Sequence, residues 1–331
     1  MHINQIIVLK ETRENEGRVA LTPKMVQKLT NKNYSILVES HAGKLAGFTD
    51  EEYRKAGAGI FNFGENKFPA HSLILRVKCP SLEREVLENN LFSNDTVMMG
   101  FLDPFDVMNN KHMQHWHALN IHTISLELLD FNANDPKNAQ AAMSRIAGEL
   151  AFEDANERYR GLLPKKVTIL GTGPAALSAA HAAKKLQLPV QVFGRKESYR
   201  QMIEEKGFIY HVLPETKQAA FIRQYLTDQT IIIAAARSAG QKSPLLIDEE
   251  SLAIMPDNSV IVDLSAGEGG CVIGSREDAI IKNERGILII NVSGYPKARP
   301  RIASEAFAEC IVNLLLEMMP NIKEINLKSY S

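Results

Sequence analysis

Val167-Thr168-Ile169-Leu170-Gly171-Thr172-Gly173-Pro174-Ala175-Ala176 is the stretch that decides how this chain folds. A short apolar run leads into a G-x-G-x-x-A turn. Alanine-rich, helix-favouring sequence continues to about residue 186, and residues 189–193 read as a second strand. Strand, glycine turn, helix and strand in that order seat a pyrophosphate on a helix N-terminus, where unpaired N–H groups and the helix dipole favour negative charge. Gly171 permits the tight turn, Gly173 lets the backbone approach the phosphates, and Ala176 keeps helix and strand close. With Pro174 and Ala175 these are the expected cofactor-binding positions. The alternative is a purely structural glycine turn, and the strand–helix–strand context favours the site.

The end of the second strand departs from the usual pattern. NAD-binding units of this kind carry Asp or Glu there to hold the ribose 2′-hydroxyl. Here the place holds Gly194, followed by Arg195 and Lys196. No carboxylate repels a 2′-phosphate, and two cations are available to pair with one. These positions predict NADP(H) in preference to NAD(H). The alternative is two cations on a solvated loop, with NAD(H) still accepted.

The whole chain bounds the answer further. Its 331 residues suffice for two domains with cores. Hydrophobic residues at 45% and charged residues at 23% are ordinary for a soluble α/β protein. A formal net charge of −1 provides no overall field for nucleic acid or an anionic membrane. Cys79, Cys271 and Cys310 have no metal-ligand spacing and form no disulfide framework, which fits a reducing cytoplasm. No apolar run approaches the roughly 18 residues of a membrane span. Met1-His2-Ile3-Asn4 lacks the basic-then-apolar form of a signal peptide. The location predicted is cytoplasmic, without membrane insertion.

Ahead of the glycine turn, strands at 5–9, 35–39, 72–77, 96–101 and 121–125 alternate with helices at 23–31, 50–56 and 109–119. That alternation implies a parallel sheet. Asn132-Ala133-Asn134-Asp135-Pro136 is a turn-rich break, followed by a helix-favouring run at 139–158. Beyond the glycine turn come strands at 208–212, 230–235, 260–264 and 287–291, then an amphipathic helix at 304–318 that returns to the first domain. The fold predicted is therefore α/β with two domains. Residues 1–135 with 297–331 form a Rossmann-like substrate domain completed by the C-terminal helix. Residues 136–296 form a Rossmann doubly wound parallel sheet that binds the dinucleotide. A cleft between two such domains is the default ligand site.

Several segments in this order resemble one family. They are Glu14-Asn15-Glu16-Gly17-Arg18-Val19-Ala20-Leu21-Thr22-Pro23, Val38-Glu39-Ser40-His41-Ala42-Gly43, Leu75-Arg76-Val77-Lys78-Cys79-Pro80 and Met143-Ser144-Arg145-Ile146-Ala147-Gly148. The glycine turn, Val262-Asp263-Leu264-Ser265-Ala266-Gly267-Glu268-Gly269-Gly270 and Ile311-Val312-Asn313-Leu314-Leu315 complete the set. Together they are similar to the alanine dehydrogenase and pyridine-nucleotide transhydrogenase alpha-subunit family over nearly the whole chain. The resemblance implies two α/β domains and a dimer.

It also implies roles. Arg18 matches the arginine that grips a substrate carboxylate, a task suited to a planar guanidinium. Lys78 matches the lysine that contacts the 2-oxo group, where a cation stabilises a developing alkoxide. The alternative for both is a surface charge at a turn or strand end. Alanine dehydrogenases carry a catalytic histidine where this chain has Asp103, before Pro104, and an aspartate where it has Gly267, beside Glu268. Asp103 and Glu268 remain acid/base candidates if burial raises their pKa; the alternatives are a helix-capping Asp and a solvated loop carboxylate. Ser144 matches a serine beside the pyrophosphate. Ala235, Ala236 and Ser238 match the loop over the nicotinamide ribose, and Arg276 a cofactor-facing arginine.

Three readings follow from the resemblance. The first is an oxidoreductase transferring hydride between NAD(P)(H) and the Cα of a small amino or imino (2-oxo) acid. The second is a soluble nucleotide-binding alpha component of a transhydrogenase that needs a separate beta-type partner. The third is an opine- or saccharopine-type dehydrogenase, in which two substrates condense through an imine. The chain lacks the Arg-bearing loop of transhydrogenase alpha subunits in 130–139, and it stops short of the tail that alanine dehydrogenases use in assembly, so a homodimer is expected. His112, His115 and His117 do not share one helix face, so no metal site is predicted.

Overall fold

Predominantly apolar runs make the central strands of this chain, as expected where helices cover both faces of a parallel sheet. The computed structural model describes residues 3–65, 67–93, 95–236 and 242–319. The chain divides into two compact units, Met1–Met143 with Lys297–Ser331, and Ser144–Pro296. The division falls inside the long helix Ala139–Arg158 rather than in the turn-rich stretch ahead of it.

The first unit holds a six-stranded sheet of β1 (Gln5–Val8), β2 (Ile36–Glu39), β3 (Gly59–Phe61), β4 (Ser72–Lys78), β5 (Val97–Phe101) and β6 (His122–Ser125). The order is β3-β2-β1-β4-β5-β6, and every pairing is parallel. The order reverses between β1 and β4, and the loops leaving the carboxyl ends of these strands are where such sheets place ligands. β4 and β5 are central and buried almost throughout. β3 escaped the sequence reading because it is a three-residue edge strand with no buried position. The helix Leu82–Asn89, capped by Ser81, escaped it as well; two glutamates, Glu85 and Glu88, stand at its buried positions and break the apolar stripe.

Glu88 is fully buried because Arg76 of β4 and Arg84 both bond to it, at 2.6 and 2.7 Å. Arg84 also reaches Glu39 at the end of β2. The C-terminal helix Pro300–Met318 packs within this unit. Ser304 Oγ accepts from Val19 N at 2.9 Å, and the Phe101 and Phe307 rings lie 5.5 Å apart.

The second unit is a seven-stranded sheet of β7 (Val167–Leu170), β8 (Val190–Gly194), β9 (Ile209–Val212), β10 (Ile231–Ala234), β11 (Val260–Asp263), β12 (Ile280–Lys282) and β13 (Leu288–Ile290). Its order is β12-β13-β11-β10-β7-β8-β9, with β12 alone antiparallel. Here the reversal lies between β7 and β10. β12 was not anticipated, since it is a short edge strand whose side chains stay largely outside the core. The helix Pro174–Lys185 follows β7 and turns Ala176, Ala179, Ala180 and Ala183 into the core; small side chains let it lie close on the sheet. Among the described residues no helix is long and apolar enough to cross a membrane.

Gly148 sets the approach of the long helix to the glycine turn. A Cβ at Gly148 would lie 1.9 Å from the carbonyl oxygen of Ala175. Gly148→Ala would gain about 1 kcal/mol of helix propensity, but displacing a backbone carbonyl outweighs that by about 3 kcal/mol. The variant is expected to melt several degrees below wild type by circular dichroism; an equal or higher melting temperature would mean that the helix does not press on Ala175.

Candidate functional site

The glycine turn of the second unit is built by close backbone approach. Gly171 has φ +122°, and a Cβ there would sit 2.7 Å from the carbonyl oxygen of Ala235 and 3.2 Å from the nitrogen of Ala236. Ala235 N in turn donates to Leu170 O at 2.8 Å. The expected positions Gly171, Ala235 and Ala236 therefore meet at the carboxyl ends of β7 and β10. Gly173 is the N-cap of the following helix, is exposed, and would send a Cβ into open space. No side chain caps this twelve-residue helix. Pro174 occupies its first turn without an N–H, leaving the first-turn amides of Ala175 and Ala176 for an anion. Unfilled space before an uncapped helix is the shape a diphosphate requires, so these residues fit the group.

The other expected contact positions lie on separate elements. Ser144 is half-buried one helical turn before Gly148, on the face that meets Ala175. Gly194 ends β8 and is buried, while Arg195 and Lys196 beyond it are exposed. Arg276 is exposed after Gly274. Ser238 lies outside the described residues.

The loop after β11 is tied by Asp263, which is fully buried. One carboxylate oxygen accepts from Ser265 N and Oγ at 3.0 and 2.6 Å, and the other from Cys271 N and Val272 N at 2.9 and 3.2 Å. Cys271 Sγ donates to Ala236 O at 3.3 Å, linking this loop to the one after β10. Gly267 and Glu268 ride on it in the short turn Ala266–Glu268. A Cβ at Gly267 would approach Glu277 at 3.4 Å. The side chain of Glu268 lies outside the described residues.

In the first unit, charged groups line the carboxyl edge of the sheet. Arg18 is 5% exposed, so it is not a surface charge. Glu16 grips it side-on, Nε to Oε1 at 2.7 Å and Nη2 to Oε2 at 2.6 Å, while Nη1 rests 3.5 Å from Met143 Sδ. Burial alone would raise the Glu16 carboxyl, but the hydrogen bonds and charge of Arg18 outweigh it and hold the group below its ordinary range. Lys78 ends β4 and donates to both oxygens of Asp103, at 3.0 and 2.8 Å. Asp103 is not a helix cap. The next helix begins at Val107, and Asp103 itself sits at φ +48° with its carboxylate on Lys78.

Sequence reasoning missed two carboxylates here. Glu11, just past β1, accepts from Val77 N at 2.6 Å and Lys78 N at 3.2 Å, where the β4–β5 register shifts. It thereby satisfies amides that an irregular ladder leaves over. Burial pushes its carboxyl from the ordinary 4.5 to about 7, against the lowering effect of Arg76 and these amides. Glu127, just past β6, accepts from Leu102 N and Asp103 N at 3.2 and 3.0 Å, and burial raises its carboxyl too. The signal was available in sequence: an acidic residue two or three places beyond a buried parallel strand lies at the ligand-bearing edge. Of the three clustered histidines, His112 is buried against Glu85, with His115 Nδ1 3.4 Å from the same carboxylate, whereas His117 Nε2 lies 2.8 Å from Thr123 Oγ1. Trp116 is fully buried.

Comparison with known proteins gives a consistent assignment. The family model described as Alanine dehydrogenase/PNT, N-terminal domain, matches residues 7–147, and that described as Alanine dehydrogenase/PNT, C-terminal domain, matches residues 156–329. The NAD(P) transhydrogenase subunit alpha (first part) of Rickettsia prowazekii is 26% identical over 342 residues, which span 94% of this chain and 88% of that one. Alanine dehydrogenase 1 of Staphylococcus aureus is 26% identical over 333 residues, spanning 95% and 87%. The crystal structure of transhydrogenase from Sinorhizobium meliloti matches with a TM-score of 0.84 at 25% identity, over 95% of this chain and 94% of that one.

Glu11 has a pH signature whose sign is fixed. Its folded-state pKa lies above the unfolded value, so its contribution favours the native state below pH 4.5 and is lost as pH rises through about 7. That loss amounts to about 3 kcal/mol. Relative to wild type, Glu11→Gln should therefore become more stable by roughly that amount between pH 4.5 and 8, measured by urea unfolding at both pH values. A difference that does not change with pH would show that the folded-state pKa of Glu11 is not raised.

Proposed function

Since the chain belongs to the alanine dehydrogenase/PNT family, we propose that it is an NAD(P)(H)-dependent oxidoreductase acting at the Cα of a small amino or imino acid. One observation supports the reading above all: a buried arginine held side-on by a buried glutamate. Burying a guanidinium is costly unless it is paired. Glu16 pairs Nε and Nη2 and fixes the plane, and Nη1 faces the weak acceptor Met143 Sδ among the contacts described for it. A carboxylate displaces a thioether there and forms the two-toothed contact that guanidinium geometry favours.

When bound, the dinucleotide supplies or accepts the hydride. Arg18 anchors the substrate carboxylate. Lys78 donates to the 2-oxo or imino position, and Asp103 is its proton partner. Glu268 is the second proposed acid/base, and Ser144, Arg195, Lys196, Ser238 and Arg276 are proposed cofactor contacts. Gly194 followed by two cations supports NADP(H) over NAD(H). A second reading, a transhydrogenase alpha component working with a beta-type partner, is favoured by Asp103 and Gly267 standing where alanine dehydrogenases carry histidine and aspartate.

The assay is NADPH oxidation with pyruvate, glyoxylate or 2-oxoglutarate, each with ammonia or lysine. Turnover is expected with at least one pair, and the lysine arms report opine-type condensation. Arg18→Lys should then lower kcat/KM by about 100-fold, the worth of a lost charge-assisted bidentate contact, while NADPH binding is unchanged. No turnover with any pair would sink the dehydrogenase reading in favour of the transhydrogenase component. Separately, Arg195→Ala should weaken NADPH by about tenfold and leave NADH unaffected in fluorescence titrations; equal loss for both would remove the 2′-phosphate contact.

A further inference from the structure

We infer that Thr172 and Tyr210 determine cofactor choice, by filling the space an acidic ribose-binding side chain would need and by holding the 194–196 loop that presents two cations instead. The inference rests on the reading of the glycine turn as a dinucleotide site.

Gly194 stands where NAD-binding units carry their carboxylate. Its φ lies outside the left-handed region, so backbone conformation does not demand glycine. Packing does. A Cβ at this position would lie 2.5 Å from Thr172 Cγ2, 2.5 Å from Tyr210 Oη and 3.1 Å from Tyr210 Cε2. Thr172 is the middle residue of the G-x-G turn, so one side of the blockade comes from the phosphate-binding loop itself. Tyr210 comes from β9, the strand beside β8.

Tyr210 is not a loose end that swings aside. It is 3% exposed, and its hydroxyl donates to Lys196 O at 2.8 Å. The Arg200 guanidinium lies 5.6 Å from its ring centroid and donates to Tyr210 O at 3.1 Å. Arg200 is anchored in turn by Glu197 and Glu204. Admitting an aspartate at Gly194 therefore requires Thr172 to rotate and Tyr210 to release Lys196, the residue whose cation the loop presents. Exclusion of the acidic side chain and placement of the basic one are thus a single packing arrangement. A change of preference at this site takes several coordinated substitutions.

The test uses the full chain, with melting temperature measured without cofactor and NADH and NADPH titrated separately by nicotinamide fluorescence. Gly194→Asp alone should lower the melting temperature and weaken both cofactors by more than about tenfold. The combined variant T172S/G194D/Y210F removes the methyl and the hydroxyl that block the site. It should recover most of the melting temperature and bind NADH more tightly than NADPH. Tyr210→Phe alone should weaken NADPH by several-fold and spare NADH. A G194D variant that melts like wild type and already prefers NADH would overturn the inference, as would a combined variant no better than G194D. If wild type holds NADH as tightly as NADPH, the NADP(H) reading itself fails. The blockade is then decided by whether the combined variant regains the NADH binding that G194D loses.

Discussion

Close approach of backbone to backbone is the constraint on which the second unit depends. At Gly171 the chain passes so near Ala235 that any side chain would strike its carbonyl, and at Gly148 the long helix presses on the carbonyl of Ala175 in the same way. These two contacts hold together the end of β7, the start of the next helix and the loop after β10. A helix N-terminus becomes an anion site only when its first amides stay unengaged and unobstructed. The space before Gly173 meets that condition because the elements around it are packed through glycines and alanines rather than through larger side chains.

The first unit solves a different problem, that of keeping like charges close together at one sheet edge. Glu11, Glu16, Asp103 and Glu127 all lie past strand or turn ends there, and each has its own counterweight. Glu16 has a guanidinium, Asp103 an ammonium, Glu11 the charge of Arg76 with two backbone amides, and Glu127 the Ser125 hydroxyl with backbone amides. The difference matters energetically. Direct hydrogen bonds to a guanidinium outweigh burial for Glu16, whereas burial prevails over the charge of Arg76 and two amides for Glu11, and over the Ser125 hydroxyl and amides for Glu127, whose carboxyls are raised. Arg18 and Lys78 are thereby aimed by partners that are themselves aimed, and this supports reading the edge as a site rather than as a set of scattered charges.

How much of this was legible in the sequence depended on range. The glycine turn was readable because its logic is local: strand, turn and helix follow one another in the chain. Most of the parallel strands were readable because their residues are largely apolar or β-branched; the short edge strand β3 was not. Arg18, Lys78 and Asp103 were reached through resemblance, since nothing in their immediate neighbours distinguishes them from solvated charges. The purpose of Gly148 was hidden in the sequence, because the carbonyl it makes room for belongs to a different helix. Glu11 was passed over because its acceptor role involves amides 66 residues onward. Gly194 was read as a missing carboxylate, and only packing shows that Thr172 and Tyr210 deny the place to one.

Glu11 has one more consequence. A carboxyl balanced near half-occupancy at neutral pH, and buried where ion pairs converge, acts as a proton reservoir. Any anion or cation arriving at that edge tilts the balance, so the molecule takes up or releases a fraction of a proton to the surrounding buffer. Ligand affinity at this edge is then coupled to acidity through a buried carboxyl.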